Sequence, residues 1–234
     1  MSLWSSTSFV KDLGQLIKLI GDFNVPIETD KLNDLLGRLK SMSCANVSVK
    51  DIVIKVSKAI SKTKPQGVQR MTIYFSHTCE CDNGINHSVE DPIKNFYFYF
   101  QINGYGVTGK EYVNCWRLDK DIKSAAPKYT HPYYHFQAGG DELQYKDSGD
   151  LLLLSAPRLP HPPMDLFLGL HFLLSNYLST KDYPSVKSLF DSYEYECIIK
   201  RAQERVWVTY FNSFSPTNTH SDFTFKNVFP LFLH

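Results

Sequence analysis

An alternating run of aromatic residues, IKNFYFYFQI at positions 93–102, constrains the fold more than any other stretch of this chain. Successive side chains of a β-strand point to opposite faces, so the phenylalanines share one face and the tyrosines share the other. The first set is Phe96, Phe98 and Phe100; the second is Tyr97, Tyr99 and Gln101. The run therefore predicts a strand with one apolar face and one polar, tyrosine-rich face.

Three further segments predict neighbouring strands. VQRMTIYFSH at 68–77 and HPYYHFQ at 131–137 alternate in the same way, and YVNCWRLD at 112–119 is a shorter candidate. Short polar or glycine-containing loops without intervening helices favour antiparallel pairing. The polar face of that sheet would collect Arg70, Tyr74, Tyr97, Tyr99, Gln101, Tyr133, His135 and Gln137. Such a face is solvated, covered by a polar interface, or the floor of a binding site.

Amphipathic helices are predicted on both sides of these strands. Apolar residues recur at helical spacing behind Ser8, Asp30 and Ser48, which predicts three short, capped N-terminal helices. After the strands, a helix from about Pro163 to Leu178 is apolar nearly all round and is expected in the core. A longer helix is predicted from near Pro184 past Tyr210.

Together these elements predict an α+β fold, with an antiparallel sheet of four to six strands and with N-terminal helices and long C-terminal helices packed on it. Leu151–Leu154 is predicted to be a further, buried strand. We expect residues 1–64 to form an N-terminal helical segment and residues 65–234 to form the sheet and the C-terminal helices, in one continuous domain. A hydrophobic content of 43% in 234 residues suffices for a sizeable core.

The charge balance and the cysteines indicate the cellular compartment and the kinds of partner to expect. Lys and Arg number 25 against 24 Asp and Glu, so no field of the whole molecule steers it towards nucleic acid. Five scattered cysteines fit a reducing compartment better than a disulfide framework, and the N-terminus lacks the features of a signal peptide. The longest apolar segment, Leu166–Leu178, is too short to span a bilayer. These features predict a cytoplasmic protein that does not enter the membrane.

The segment Gly104–Lys110, GYGVTGK, satisfies two phosphate-binding patterns, G-x-G-x-x-G and the start of G-x-x-x-x-G-K-[ST]. Both patterns need a following helix, whereas KEYVNCWRLD predicts a strand, and Glu111 replaces the magnesium-binding hydroxyl. We interpret the segment as a glycine-rich hairpin turn.

The segment that begins at His77 is a candidate metal site. Cys79 and Cys81, with His87 beyond them, complete a set of four potential ligands within eleven residues. A C-x-C pair is looser than the C-x-x-C of zinc knuckles, and no second knuckle follows. We interpret it as a polar hairpin loop with free thiols and predict neither a metal nor another cofactor.

Four polar residues form the candidate catalytic group: His135, Arg158, His161 and Asp165. A His paired with a carboxylate can act as a general base, and an adjacent Arg can neutralise a phosphate or an oxyanion. In the structural alternative, Asp165 caps its helix and pairs with Arg158, while the histidines bond to backbone groups around the prolines.

Three segments resemble a family of uncharacterised bacterial proteins: CWRLD at 115–119, HPYYHFQAGG at 131–140 and APRLPHPPMD at 156–165. The resemblance covers mainly the middle third of the chain. It implies an accessory protein of a mobile-element or defence locus, and it supplies no catalytic residues.

Three functional hypotheses follow. The leading one is an intracellular binding or assembly component that recognises its partner through the polar sheet face and the proline-rich connection, with Tyr97, Tyr99, Tyr133 and Gln137 as binding residues. The Phe-rich segment 221–234 would be buried or would contact other protein subunits, including a second copy. The second is a hydrolase or phosphodiesterase-like enzyme that uses the catalytic group above. The third is a nucleic-acid accessory protein that uses Lys55, Lys58, Lys62 and Lys64 of the third helix, or Lys200, Arg201, Arg205 and Trp207 of the C-terminal helix.

Overall fold

The computed structural model describes residues 5–41, 46–58, 60, 63, 65–81, 91, 93–120, 131–139, 143 and 159–212. Within these ranges, no helix has both the length and the apolar character that crossing a bilayer requires. The described elements follow one another as α1 (Ser6–Asp22), α2 (Asp30–Lys40), β1 (Val47–Val56), β2 (Val68–Cys81), β3 (Ile93–Gly106), β4 (Glu111–Lys120), β5 (Tyr134–Ala138), β6 (Leu159–Pro160), α3 (Leu166–Tyr177), α4 (Pro184–Phe190) and α5 (Tyr193–Asn212).

The six strands form one antiparallel sheet in the order β1-β2-β3-β4-β5-β6, so each strand pairs with its neighbours in the sequence. This confirms an α+β fold with an antiparallel sheet. The hairpin between β3 and β4 contains the glycine-rich segment, and Gly109 adopts a φ of 77°, which is why glycine suits this turn. The interpretation of GYGVTGK as a hairpin turn is confirmed.

One face of the sheet forms the core with α3. Phe75 of β2 lies opposite Phe100 of β3, and the Phe100 and Phe172 ring centroids are 6.1 Å apart. Gly169 brings the α3 backbone so close that a Cβ there would lie 2.6 Å from Cζ of Phe75 and 2.7 Å from Cε2 of Phe98. The helix therefore carries glycine at its closest approach to the sheet.

The third N-terminal helix, predicted from Ser48 to Ile60, is wrong, because this segment forms β1. The pairing with β2 shifts between Val49 and Ile52, and Asp51 has a φ of 56°. This β-bulge inserts a residue, so the alternation of buried positions changes phase in mid-strand. An interrupted two-residue period gave Val49, Ile52 and Val56 the spacing of a helix. Residues 1–64 thus include the first strand of the sheet as well as helices.

Two helix boundaries also differ from the prediction. Ser5, rather than Ser8, caps α1, and its Oγ accepts a hydrogen bond from the Ser8 backbone N–H. The long helix predicted from Pro184 is two helices, because α4 ends before Asp191 and Ser192 starts α5 by accepting from the Tyr195 N–H. The predicted strand at 151–154 and the Phe-rich segment 221–234 lie outside the described residues.

Candidate binding groove on the open sheet face

The sheet face opposite α3 carries an open groove of about 620 Å³ across β1, β2 and β3. The groove is lined by Lys50, Asp51, Tyr74, Ser76, Thr78, Tyr97, Tyr99, Gln101 and Asn103. The side chains from β2 and β3 belong to the polar face that the aromatic alternation predicts. The volume falls within the range of small-molecule sites.

Strand register arranges these side chains in two rows. Tyr97 lies opposite Thr78, which lies opposite Ser48, and the Ser48 Oγ is 3.0 Å from the Thr78 Oγ1. Tyr99 lies opposite Ser76, whose Oγ accepts the Asp51 backbone N–H at 3.0 Å. Each row therefore runs from a tyrosine on β3, over a hydroxyl on β2, to β1. We call them the Tyr97 row and the Tyr99 row.

The two tyrosines form a stacked pair. Their ring centroids are 6.1 Å apart with an interplanar angle of 23°, and Tyr97 is 46% exposed. The Tyr99 hydroxyl lies 3.2 Å from Gln101 Oε1 and 3.1 Å from Cys115 Sγ. Gln101 in turn donates to Asn103 Oδ1 at 2.7 Å. This chain of contacts along β3 orients the polar floor before any ligand arrives.

The bulge at Asp51 supplies the β1 side of the groove. A non-glycine residue with positive φ carries strain, and such residues persist where surrounding contacts hold them. Here the Ser76 hydroxyl accepts from the Asp51 N–H and lies 3.4 Å from the Asp51 Oδ1. The extra residue places both Lys50 and Asp51 on the groove wall. Bulges of this kind commonly re-aim side chains beside functional sites.

The predicted binding residues of β5 and its approach do not line this groove. His135 is 1% exposed, Gln137 2% and Tyr133 7%. The Gln137 amide donates to Asp119 Oδ2 at 2.6 Å, and His135 Nε2 lies 3.8 Å from the same oxygen. Of the four predicted binding residues, the structure therefore brings Tyr97 and Tyr99 into the open groove and buries Tyr133 and Gln137.

The predicted catalytic histidines lie on opposite faces of the sheet. His135 and Phe136 are consecutive in β5, so their side chains point to opposite faces. The His161 ring packs on the Phe136 side, with ring centroids 5.5 Å from Phe136 and 6.4 Å from Phe172. Each histidine also bonds to a backbone oxygen, His135 Nδ1 to Pro132 and His161 Nδ1 to Pro162. The sheet separates the two imidazoles, and Arg158 lies outside the described residues.

Asp165 is held in a buried ion cluster that joins three helices. Its Oδ1 accepts from the Leu168 N–H as the N-cap of α3, and its Oδ2 accepts from Arg205 Nη2 at 3.0 Å. Arg205 also reaches Asp12 of α1 at 3.3 Å, and all three charged side chains are at most 3% exposed. Arg201 adds a bond of 2.6 Å to Asp12. Asp165 thus caps its helix, as the structural alternative predicted, and its described ionic partner is Arg205.

Sequence reasoning missed the roles of Asp12 and Arg205. Both are charged residues on otherwise apolar helix faces, beside Phe9 and Leu13 in α1 and beside Ala202 and Val206 in α5. A single charge on an apolar stripe is the signal for a buried ion pair, since an isolated buried charge is costly. Because Asp12 and Arg205 carry opposite charges, the sequence could have suggested that they pair with each other.

His77 and the C-x-C segment are enclosed rather than poised for a metal. Burial lowers the pKa of His77 to about 4, and its Nε2 bonds to the Met164 carbonyl at 3.0 Å. The adjacent Cys81 thiol, 3.7 Å away, and burial raise the pKa of Cys79. Among the described residues, no three His, Cys, Asp or Glu side chains are grouped to hold a metal. His87 lies outside these residues.

The fold and the groove define a class: an α+β protein whose antiparallel sheet has one side packed against a helix and a polar, tyrosine-bearing groove on the other. No family model matches the chain, and neither a curated protein nor a solved structure matches it.

Proposed function

We propose that this protein is a binding component whose recognition site is the open groove across β1, β2 and β3. The observation that carries the proposal is the contrast in accessibility. The stacked tyrosines and the hydroxyl rows line an open groove, whereas His135 and Asp165 are sealed at 1% exposure. The helices before β1 and after β6 act as the scaffold that fixes the sheet.

The groove chemistry suits a polar ligand that contains a ring. Tyrosine faces supply contact area with little loss of side-chain entropy, and hydroxyl and amide groups supply both donors and acceptors. Lys50 and Asp51 contribute opposite charges to the lining. The ligand is therefore held mainly by stacking and neutral hydrogen bonds.

Binding accounts for the groove better than hydrolysis does. Among its described lining residues there is no histidine, and Asp51, the one carboxylate, is turned towards Ser76. General acid–base catalysis most often uses a histidine, or a carboxylate placed to exchange a proton with the substrate. The open face offers the geometry of recognition, which suits an intracellular component that brings a ligand or other protein subunits together.

The proposal is tested by fluorine NMR of protein labelled with 3-fluorotyrosine. The chain has 14 tyrosines, and the variants Tyr97→Phe and Tyr99→Phe assign the two groove resonances. Three probes are added separately at millimolar concentration: triuridylate, cellotriose and trialanine. We expect at least one probe to shift the Tyr97 and Tyr99 resonances in a saturable manner.

Tyr193 provides the internal control, because it is 74% exposed on α5 and lies outside the groove. Its resonance is expected to stay unchanged throughout each titration. If no probe moves the groove tyrosines, or if Tyr193 responds equally, the groove is not a recognition site.

A further inference from the structure

We propose that the ligand of the groove is a nucleotide unit, whose base stacks on the tyrosines and whose phosphate binds a basic pocket beyond strand β1. This inference rests on the proposed function, because it extends the same groove. It adds the chemical class of the ligand and a second subsite, which binds the anionic phosphate.

A second pocket of about 630 Å³ lies between α2 and β1. It is lined by Lys31, Asp34, Arg38, Ser48, Val49 and Lys50. Lys50 lines both this basic pocket and the tyrosine groove, since the bulge places it at their junction. The two pockets therefore adjoin over the β1 edge.

The charge of the basic pocket favours an anion. Three cations face one carboxylate, Asp34, and within the described part of the chain none of the three cations is in an ion pair. Neighbouring exposed lysines differ, because Lys55 pairs with Glu28 and Lys58 pairs with Asp182. Arg38 is oriented by a bond of 2.7 Å from Nη2 to the Ser48 carbonyl. A fixed guanidinium next to a lysine is a common arrangement for phosphate recognition.

The two rows connect the aromatic and the basic ends. The Tyr97 row reaches Ser48, whose carbonyl holds Arg38, and the Tyr99 row reaches the bulge that carries Lys50. Adjacent strands are about 4.8 Å apart, so β3 and β1 are separated by about 10 Å. The Tyr97 row thus offers a ring surface, the Thr78 and Ser48 hydroxyls and the Arg38 cation in that order. In the Tyr99 row the Ser76 hydroxyl is bonded to Asp51, so this row offers the Tyr99 ring and Lys50.

A nucleotide presents the matching groups in the same order: a planar base, a hydroxyl-bearing ribose and a phosphate. Bases stack on exposed aromatic side chains of antiparallel sheets without strict sequence preference, and Ser or Thr hydroxyls can bond to the ribose. The stacked pair and the paired rows fit two successive nucleotides of a single strand as well as a free mononucleotide. The basic pocket has three cations against one carboxylate, an excess that suits about two phosphates.

The test compares uridine, uridine monophosphate and triuridylate by isothermal titration at low salt. We expect the monophosphate to bind at least about tenfold more tightly than uridine, which corresponds to one charge-assisted contact. Triuridylate is expected to bind more tightly again, with a slope of log affinity against log salt near about −1.4 for two phosphates. Equal affinity of triuridylate and the monophosphate would identify the ligand as a free mononucleotide rather than a single strand.

The variant Arg38→Gln should abolish most of the phosphate gain while leaving uridine binding unchanged, because Arg38 lines the basic pocket and not the groove. Lys50→Gln should also abolish most of the phosphate gain. Lys40→Gln is the matched control, because Lys40 is exposed on the same helix as Arg38 and does not line the pocket. It removes the same charge and should leave all affinities unchanged.

The nucleotide inference is overturned if uridine and its monophosphate bind equally, if Lys40→Gln weakens binding as much as Arg38→Gln, or if cellotriose or trialanine is the probe that moves the groove tyrosines. In those cases the tyrosine resonances still respond to a probe and the groove remains a recognition site. Failure of every probe to move the tyrosines overturns the groove itself.

Discussion

Polar residues are treated in opposite ways in the sealed clusters and in the open groove. On the helix side, polar groups are sealed and matched: Arg205 joins Asp12 and Asp165, and Asp91 accepts from the Tyr134 hydroxyl at 2.9 Å beside Lys120 at 2.7 Å. On the open side, the tyrosines and hydroxyls of the two rows line a groove. The sealed polar residues hold the fold together, and they include His135 and Gln137 at the β5 end of the open face. The polar residues over β1, β2 and β3 line the groove instead.

The largest expected effect comes from the sealed face. Arg205→Met leaves the Asp165 carboxylate buried without its ionic partner, which should cost about 3–5 kcal/mol in the free energy of unfolding. Lys200→Met is the control, because Lys200 pairs with Glu196 on the exposed side of the same helix and its loss should leave the free energy of unfolding nearly unchanged. Urea denaturation measures both. Similar losses for the two variants would remove the distinction between sealed and exposed charges.

His77 should make the sealed face sensitive to acid. Its pKa is about 4 in the folded state, because burial disfavours the imidazolium, against about 6.5 when unfolded. Above pH 6.5 His77 is neutral in both states and does not affect the free energy of unfolding. As the pH falls from 6.5 towards 4, the unfolded state takes up a proton that the folded state does not, so the free energy of unfolding falls by roughly 3 kcal/mol. Unfolding free energies at pH 7 and pH 4.5 should differ less in His77→Phe than in the parent protein. An unchanged difference would show that His77 does not titrate with unfolding.

The closest contact between helix and sheet gives a smaller effect. Gly169→Ala places a Cβ against the buried Phe75 and Phe98 rings and should destabilise the protein by about 1–3 kcal/mol. Gly37→Ala in α2 is the matched control, because nothing lies within 4 Å of its Cβ, and it should stabilise by up to about 1 kcal/mol. Thermal unfolding of the two variants should therefore shift in opposite directions. A shared direction would contradict the packing of α3 on the sheet.

The open face should contribute least to stability. Tyr97→Leu removes a side chain that is 46% exposed, and surface changes of this kind usually alter the unfolding free energy by less than about 0.5 kcal/mol. The same variant should weaken binding of whichever probe occupies the groove. A loss of several kcal/mol would mean that Tyr97 belongs to the structural side of the comparison.

Sequence periodicity predicted the sheet well, because apolar and polar residues alternate along a strand that has one buried and one polar face. The same regularity failed at β1, where one inserted residue at Asp51 broke the alternation and imitated a helix. Tyr97 and Tyr99 could be assigned to the polar face from the alternation alone, but whether that face is open or covered could not. Tyr133 and Gln137 could not be assigned correctly, because their burial depends on tertiary packing that periodicity does not encode.

The candidate catalytic group shows a second limit. The sequence suggested that His135 and His161 could meet. His135 and Phe136 are adjacent in β5 and point to opposite faces of the sheet, and His161 packs on the Phe136 side. The ionic partner of Asp165 is Arg205, which is 40 residues away in the sequence, so no local motif could have revealed the pair. The basic pocket likewise joins α2 to the bulge of β1, and its charges become a group only when the β1 edge meets that helix.

The central claim is that the tyrosine groove, rather than the sealed polar clusters, is where this protein meets its ligand. Fluorine NMR of fluorotyrosine-labelled protein with triuridylate, cellotriose and trialanine tests it most directly. We expect a saturable shift of the Tyr97 and Tyr99 resonances with at least one probe, above all triuridylate, while the Tyr193 resonance stays unchanged. Groove resonances that remain fixed at millimolar concentrations of all three probes would contradict it.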